Sequence, residues 1–223
     1  MPTKLDKREY RKIDATLMET RKADDGQMIV EGYATTFNQP YELWRDKGMI
    51  VNEQVDANAF AETDMSDTIM QYDHEGRVFA RVKNGTLQLT PDEHGLKVTA
   101  NLGGTEIGRQ LFEEINGGYT NKMSFGFTVT GAERKTTKGE DGHITVLRTI
   151  TKIGKLYDVS AVSLPANDAT EISARNIGDG LITEVLKEIQ AEEERAQEEA
   201  EAERRRAALE KLNKLIKEVQ HHE

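Results

Sequence analysis

The chain has 223 residues, 36% of them hydrophobic, a formal net charge of −10 and no cysteine. That much apolar material supports one packed domain plus an appendage. It includes no apolar run long enough to span a bilayer. The missing cysteines exclude disulfides, a thiol nucleophile and thiolate metal sites. An acidic chain is a poor nonspecific nucleic-acid binder, although much of the acidity sits in the glutamate-rich stretch from Glu184 to Glu203. The charged N-terminus MPTKLDKREYRK is followed by no apolar stretch and does not read as a secretory signal.

The first half reads as β-rich. Strands are expected over Ile13–Arg21 and Met28–Phe37, joined as a hairpin through Asp25-Gly26. NQPYELWRDKG is expected to be a loop, and Ala57–Thr63 a short helix. TIMQYDH is strand-like, and residues 78–102 give two or three strands separated by Asn84-Gly85 and by PDEHG. Next, EIGRQLFEEINGG places Ile107, Leu111 and Ile115 on one helical face and stops at Gly117-Gly118. The strand KMSFGFTVTGAE, the hydrophilic loop RKTTKGEDGH and two further strand candidates up to Pro165 complete this part.

From about Gly180 the pattern changes to helix former throughout, without Gly or Pro. Apolar stripes lie at both ends (Leu181 to Ile189, Leu209 to Val219), with alanine and charge between them. Strict heptads do not run through, so two amphipathic ends joined by a solvated helix fit better than a continuous coiled coil. A boundary near Arg175 divides residues 1–176 from a charged helical tail, 177–223. The end at His221-His222-Glu223 has no helix stop signal and reads as a fragment or a processed form.

In KMSFGF, alternation puts Met123, Phe125 and Phe127 on one face and Ser124 and Gly126 on the other. Ser124 is then either a solvent-facing serine or a nucleophile on a rigid strand. Gly126 would leave room beside it for a substrate backbone. A serine needs a base in reach. His94 and His143 sit in turns and loops, and His221 and His222 at the end of the tail. His74, after TIMQYD, is a scaffold-fixed base, a turn histidine, or one satisfied by Asp73. Asp158 lies inside an apolar strand, sharing a face with Leu156 and Ser160 by period-2 counting, and must find a partner. A lysine, a backbone donor or a histidine would serve. No metal-binding or nucleotide-binding motif is present.

Five segments in order, VEGYATTFN, VDANAF, YDHEGRVFARVKNGTLQLTPDEHGL, LFEEINGGYTNKMSFGF and LYDVSAVSLPAND, resemble the prohead (capsid maturation) serine proteases of tailed bacteriophages of the HK97 type, relatives of the herpesvirus assembly proteases. The resemblance spans about Ile13 to Asn176. It implies an α+β fold, a small β-barrel flanked by helices, with the long charged helix appended. It also implies His74 as base, Ser124 as nucleophile and Asp158 as the acid that orients His74, where the family commonly carries a glutamate. Backbone N–H groups, with or without an arginine, would hold the oxyanion. The implied function is a serine endopeptidase that needs no cofactor and works inside the procapsid in the bacterial host. Its substrates would be the major capsid protein, scaffold segments and the protease itself. A homo-oligomer would fit, with no role for nucleic acid or membrane. The alternative is a noncatalytic assembly protein of the same fold, using its tail to organise capsid subunits.

Overall fold

A computed structural model describes residues 8–13, 18–23, 26–46, 48–139, 142–162 and 168–220; for residues 12, 13, 168–173 and 211–220 it describes the backbone alone. Eleven strands and two α-helices run in the order β1 (Glu9–Ile13), β2 (Glu19–Lys22), β3 (Met28–Thr36), β4 (Tyr41–Asp46), β5 (Met49–Val55), β6 (Ile69–Tyr72), β7 (Glu75–Arg81), β8 (Leu87–Pro91), β9 (Gly95–Asn101), α1 (Glu106–Asn116), β10 (Lys122–Lys138), β11 (Ile144–Val162) and α2 (Asp168–Gln220). Two compact units divide the chain, Met1–Asp179 and Gly180–Glu223. Among the described residues no helix is long and apolar enough to cross a membrane.

The mixed α+β class expected from the sequence is the one observed. The strands form two open sheets, however, and neither closes into the expected barrel. One sheet runs β1-β10-β11-β5-β4, with β6 added to β11 and β7 to β6; the other runs β2-β3-β9-β8. The core is shared by Val30 and Ala34 of β3, Val98 of β9, Leu111 and Phe112 of α1, and Phe125, Phe127 and Val159 of the larger sheet. Phe125 and Phe127 stack with centroids 4.4 Å apart, and burying each such side chain contributes about 1.5–3 kcal/mol.

Several local expectations are corrected. The segment expected as one strand over Ile13–Arg21 is divided, since β1 pairs with β10 and β2 with β3. Asp25, expected in the turn of that hairpin, lies outside the described residues, as do Pro165-Ala166-Asn167 and His221-His222. The stretch expected as a loop before Gly48 contains β4, which pairs antiparallel with β5 from Tyr41 opposite Glu53 to Asp46 opposite Met49, with a register shift at Leu43. Residues 57–63 form successive turns rather than a helix, with Ala59, Ala61 and Thr63 each donating to the carbonyl three residues back. The hydrophilic RKTTK is the end of β10, and the two strand candidates after it are one continuous β11. Backbone pairing between these two long strands outweighs the polar composition of the hairpin tip. Helix α1 forms as expected, and Thr105 caps it by accepting from the Gly108 N–H at 3.1 Å.

In the second unit, residues 192–210 of α2 are solvent-exposed. This matches their charge-and-alanine composition. Helix begins at Asp168, earlier than the change in sequence character suggested. Within the first unit, the Trp44 indole N–H donates to Asp179 at 2.9 Å.

Candidate active site

Ser124 stands on β10 between two neighbours, opposite Lys12 of β1 and opposite Ser160 of β11. It does not face solvent. Both faces of this part of β10 are covered, and Ser124 is 0% exposed. The expected alternation holds, but the polar face is covered by His74 and Tyr10 rather than by water.

Asp158 faces Gly126 across the β10–β11 ladder. A bulge follows at once, since the next register pair is Phe127 with Leu156. Directly opposed residues share a face, so the bulge puts Leu156 with the phenylalanines and Asp158 with Ser124. This corrects the period-2 count that grouped Leu156 with Asp158. Ser160 does share that face, and its hydroxyl donates to Asp158 Oδ1 at 2.9 Å. The gap at Gly126 is not free for substrate either. A Cβ there would stand 2.4 Å from Asp158 Oδ2 and 2.8 Å from the Tyr10 ring.

His74 arrives from the β6–β7 hairpin. Strand β6 lies parallel to β11, with Ala161 opposite Tyr72, and the Asp73 N–H extends the pairing to the Ala161 carbonyl at 3.0 Å. Tyr72 and Glu75 then pair, leaving Asp73 and His74 as the two turn residues at φ 47° and 62°. Two positive φ values are the pattern of a type I′ turn, in which Asn and Gly are usual. A histidine here sits in strained left-handed backbone. The turn aims its ring at the polar face of β10 and β11.

The three side chains expected at the site therefore meet. His74 Nδ1 lies 2.5 Å from Asp158 Oδ1, and Nε2 lies 2.6 Å from Ser124 Oγ. Both His74 and Asp158 side chains are 4% exposed. In such a dry setting a carboxylate favours the tautomer with the proton on Nδ1. Nε2 is then free to accept from the serine hydroxyl. His94 and His143 take no part. His94 sits between β8 and β9, with its ring edge-on to Tyr33. Among the described residues no cluster of three or more acidic or histidine side chains could hold a metal.

The sequence reading missed what covers and braces the site. Tyr10 of β1 packs its ring edge-on against His74, with centroids 4.6 Å apart. The carbonyl oxygen of Arg11 accepts from Ser124 Oγ at 2.9 Å. On the opposite face of β1, the Arg11 guanidinium is clasped by buried Glu53 and reaches Glu9 at 2.6 Å. Arg148 also pairs with Glu53, and the Tyr41 hydroxyl donates to Glu53 at 2.6 Å. Burial pushes the Glu53 carboxyl up, but Arg11 and Arg148 outweigh it and hold it below its ordinary value. Burial likewise opposes the charge on Arg11, and Glu53 more than restores it. A signal for this network existed in the sequence. Glu53 falls in phase with Met49, Val51 and Val55, and Arg148 with Val146 and Ile150, and the two charges are register partners in β5 and β11.

A serine hydroxyl, an imidazole and a carboxylate in hydrogen-bonded series, two on neighbouring strands and one on a hairpin turn, have the order of groups found in serine-hydrolase triads. The sequence matches the model of the caudovirus prohead serine protease family over residues 16–181. The chain belongs to that family. No curated protein matches the sequence. Among solved structures it is similar to the bacteriophage T4 capsid assembly protease gp21, at 12% identity and a TM-score of 0.38, over 70% of this chain and 95% of the other.

Proposed function

We propose that this chain is a serine endopeptidase of phage procapsid maturation, acting on the major capsid protein, on scaffold segments and on itself. The reading is carried by one observation: His74 engages Asp158 through one ring nitrogen and Ser124 through the other. Ser124 Oγ attacks the scissile carbonyl carbon while His74 Nε2 takes its proton. The tetrahedral intermediate collapses, and His74 returns that proton to the leaving amine. Water then repeats the sequence on the acyl-enzyme and frees Ser124. Asp158 keeps the imidazole in register and stabilises its charged form, and Ser160 holds Asp158. The tail, residues 177–223, serves as a scaffold-like or oligomerisation segment inside the procapsid of the bacterial host.

Incubating the purified chain with its phage capsid protein, followed by mass spectrometry of the products, tests this reading. Defined capsid-protein fragments are expected from the parent and none from Ser124→Ala. Equal fragmentation by both would remove Ser124 from the chemistry. Binding without cleavage by the parent would favour the noncatalytic assembly role.

A further inference from the structure

Peptidase substrates must reach the nucleophile, yet here Ser124 is 0% exposed. A cleft of about 620 Å³ lies between the β6–β7 hairpin and α1 and is lined by Tyr72, Glu75, Arg77, Phe79, Ile107 and Glu114 among others, not by Ser124 or Asp158. What shuts the site is β1. It is a five-residue strand at the very edge of its sheet, paired antiparallel to β10 with Lys12 opposite Ser124. Its backbone lies where an extended peptide would have to lie to present a carbonyl to Ser124. One of its carbonyls, that of Arg11, is already hydrogen-bonded to the Ser124 hydroxyl at 2.9 Å. The hydroxyl has a single proton, so the Arg11 carbonyl competes with His74 Nε2 for it. While that bond stands, the base cannot draw the proton. Tyr10 covers the imidazole at the same time.

From this we infer that the β10 edge is the docking surface for an extended substrate segment, and that β1 is its resident occupant, which must leave before cleavage. The inference rests on Ser124 being the nucleophile. Substrate adds to β10 as an antiparallel strand in the place of β1. The clasp of Arg11 and Glu9 on Glu53 and Arg148 keeps the protease shut until β1 is drawn away. As an edge strand β1 has ladder hydrogen bonds on one side only, so once the clasp lets go it can open without unfolding the domain.

A disulfide lock tests it in the full chain. Ile13 and Met123 are register partners, and the chain has no cysteine of its own. Directly opposed strand positions have Cα separations that a disulfide spans. The double variant Ile13→Cys/Met123→Cys is treated with a fluorophosphonate, and labelling of Ser124 is followed by mass spectrometry. Labelling is expected to slow at least tenfold on oxidation and to recover with reductant, while the parent responds to neither. Equal labelling rates in the oxidised and reduced forms would overturn the inference and leave Ser124 as nucleophile intact. A second variant, Tyr10→Ala, guards against misfolding of the first. It is expected to label several-fold faster than the parent, and an unchanged rate counts against the inference. Absence of Ser124 labelling in every form would remove the nucleophile itself, and this proposal with it.

Discussion

Gly126 and Asp158 face each other across β10 and β11 so closely that a methyl group on Gly126 would stand 2.4 Å from the Asp158 carboxylate. The glycine therefore makes room for the acid. Gly126→Ala is expected to swing Asp158 off His74 and reduce kcat by about 10²-fold or more, since misplacement by about 1 Å can cost that much. Circular dichroism should still show a folded domain. A rate within about twofold of the parent would mean that Asp158 does not orient the base.

The orientation claim has a more direct variant. Asp158→Asn preserves shape but offers Nδ1 an amide, favouring the wrong tautomer. A fall in kcat of about 10⁴-fold is expected by analogy with the corresponding change in other triads, with KM little altered. Steady-state cleavage of the capsid protein, with thermal melts to verify folding, provides the check.

The histidines separate cleanly. His74→Gln is expected to reduce cleavage by at least about 10³-fold, because a triad fails as a unit. His94→Gln should stay within about twofold, since its ring packs on Tyr33 in the other sheet. Comparable losses from both would point to a structural rather than a chemical role for His74.

Glu53 contributes to the acid response of this region. Its carboxyl is held below the ordinary value of 4.5 by Arg11 and Arg148 in spite of burial. A depressed folded-state pKa contributes stability that is present above about pH 4.5 and is lost as pH falls below it, toward the folded-state value. Glu53→Gln leaves two buried guanidinium groups short of a counter-charge, a change that costs about 3–5 kcal/mol. The melting temperature is expected to drop by about 10 °C at neutral pH. The variant should also lose part of the parent's decline in stability as pH falls below about 4.5, measured by urea unfolding.

Pattern made each residue of the site a candidate, odd in its local setting but with an ordinary alternative, and the resemblance to the prohead proteases joined the three. Ser124 sits opposite a run of large apolar groups, Asp158 sits inside an apolar strand, and His74 follows one. Their meeting was not legible from pattern alone, since it depends on two long-range pairings, β10 with β11 and β6 with β11. The bulge after Gly126 broke the period-2 count that placed Leu156 beside Asp158, because a bulge leaves little trace in composition. A turn at His74 was one of the expected alternatives, but its tight two-residue form was not legible, because type I′ turns usually announce themselves with Asn-Gly. The seal over Ser124 was hidden for another reason. REYRKI looks like a solvated basic stretch until Glu53 and Arg148 supply its counter-charges.

The central claim is that His74 activates Ser124. Prolonged exposure to a fluorophosphonate, followed by peptide mapping, tests it most directly. The account predicts a single adduct on Ser124 in the parent chain and none in His74→Gln. An adduct on a different serine, or equal labelling of Ser124 with and without His74, would contradict it.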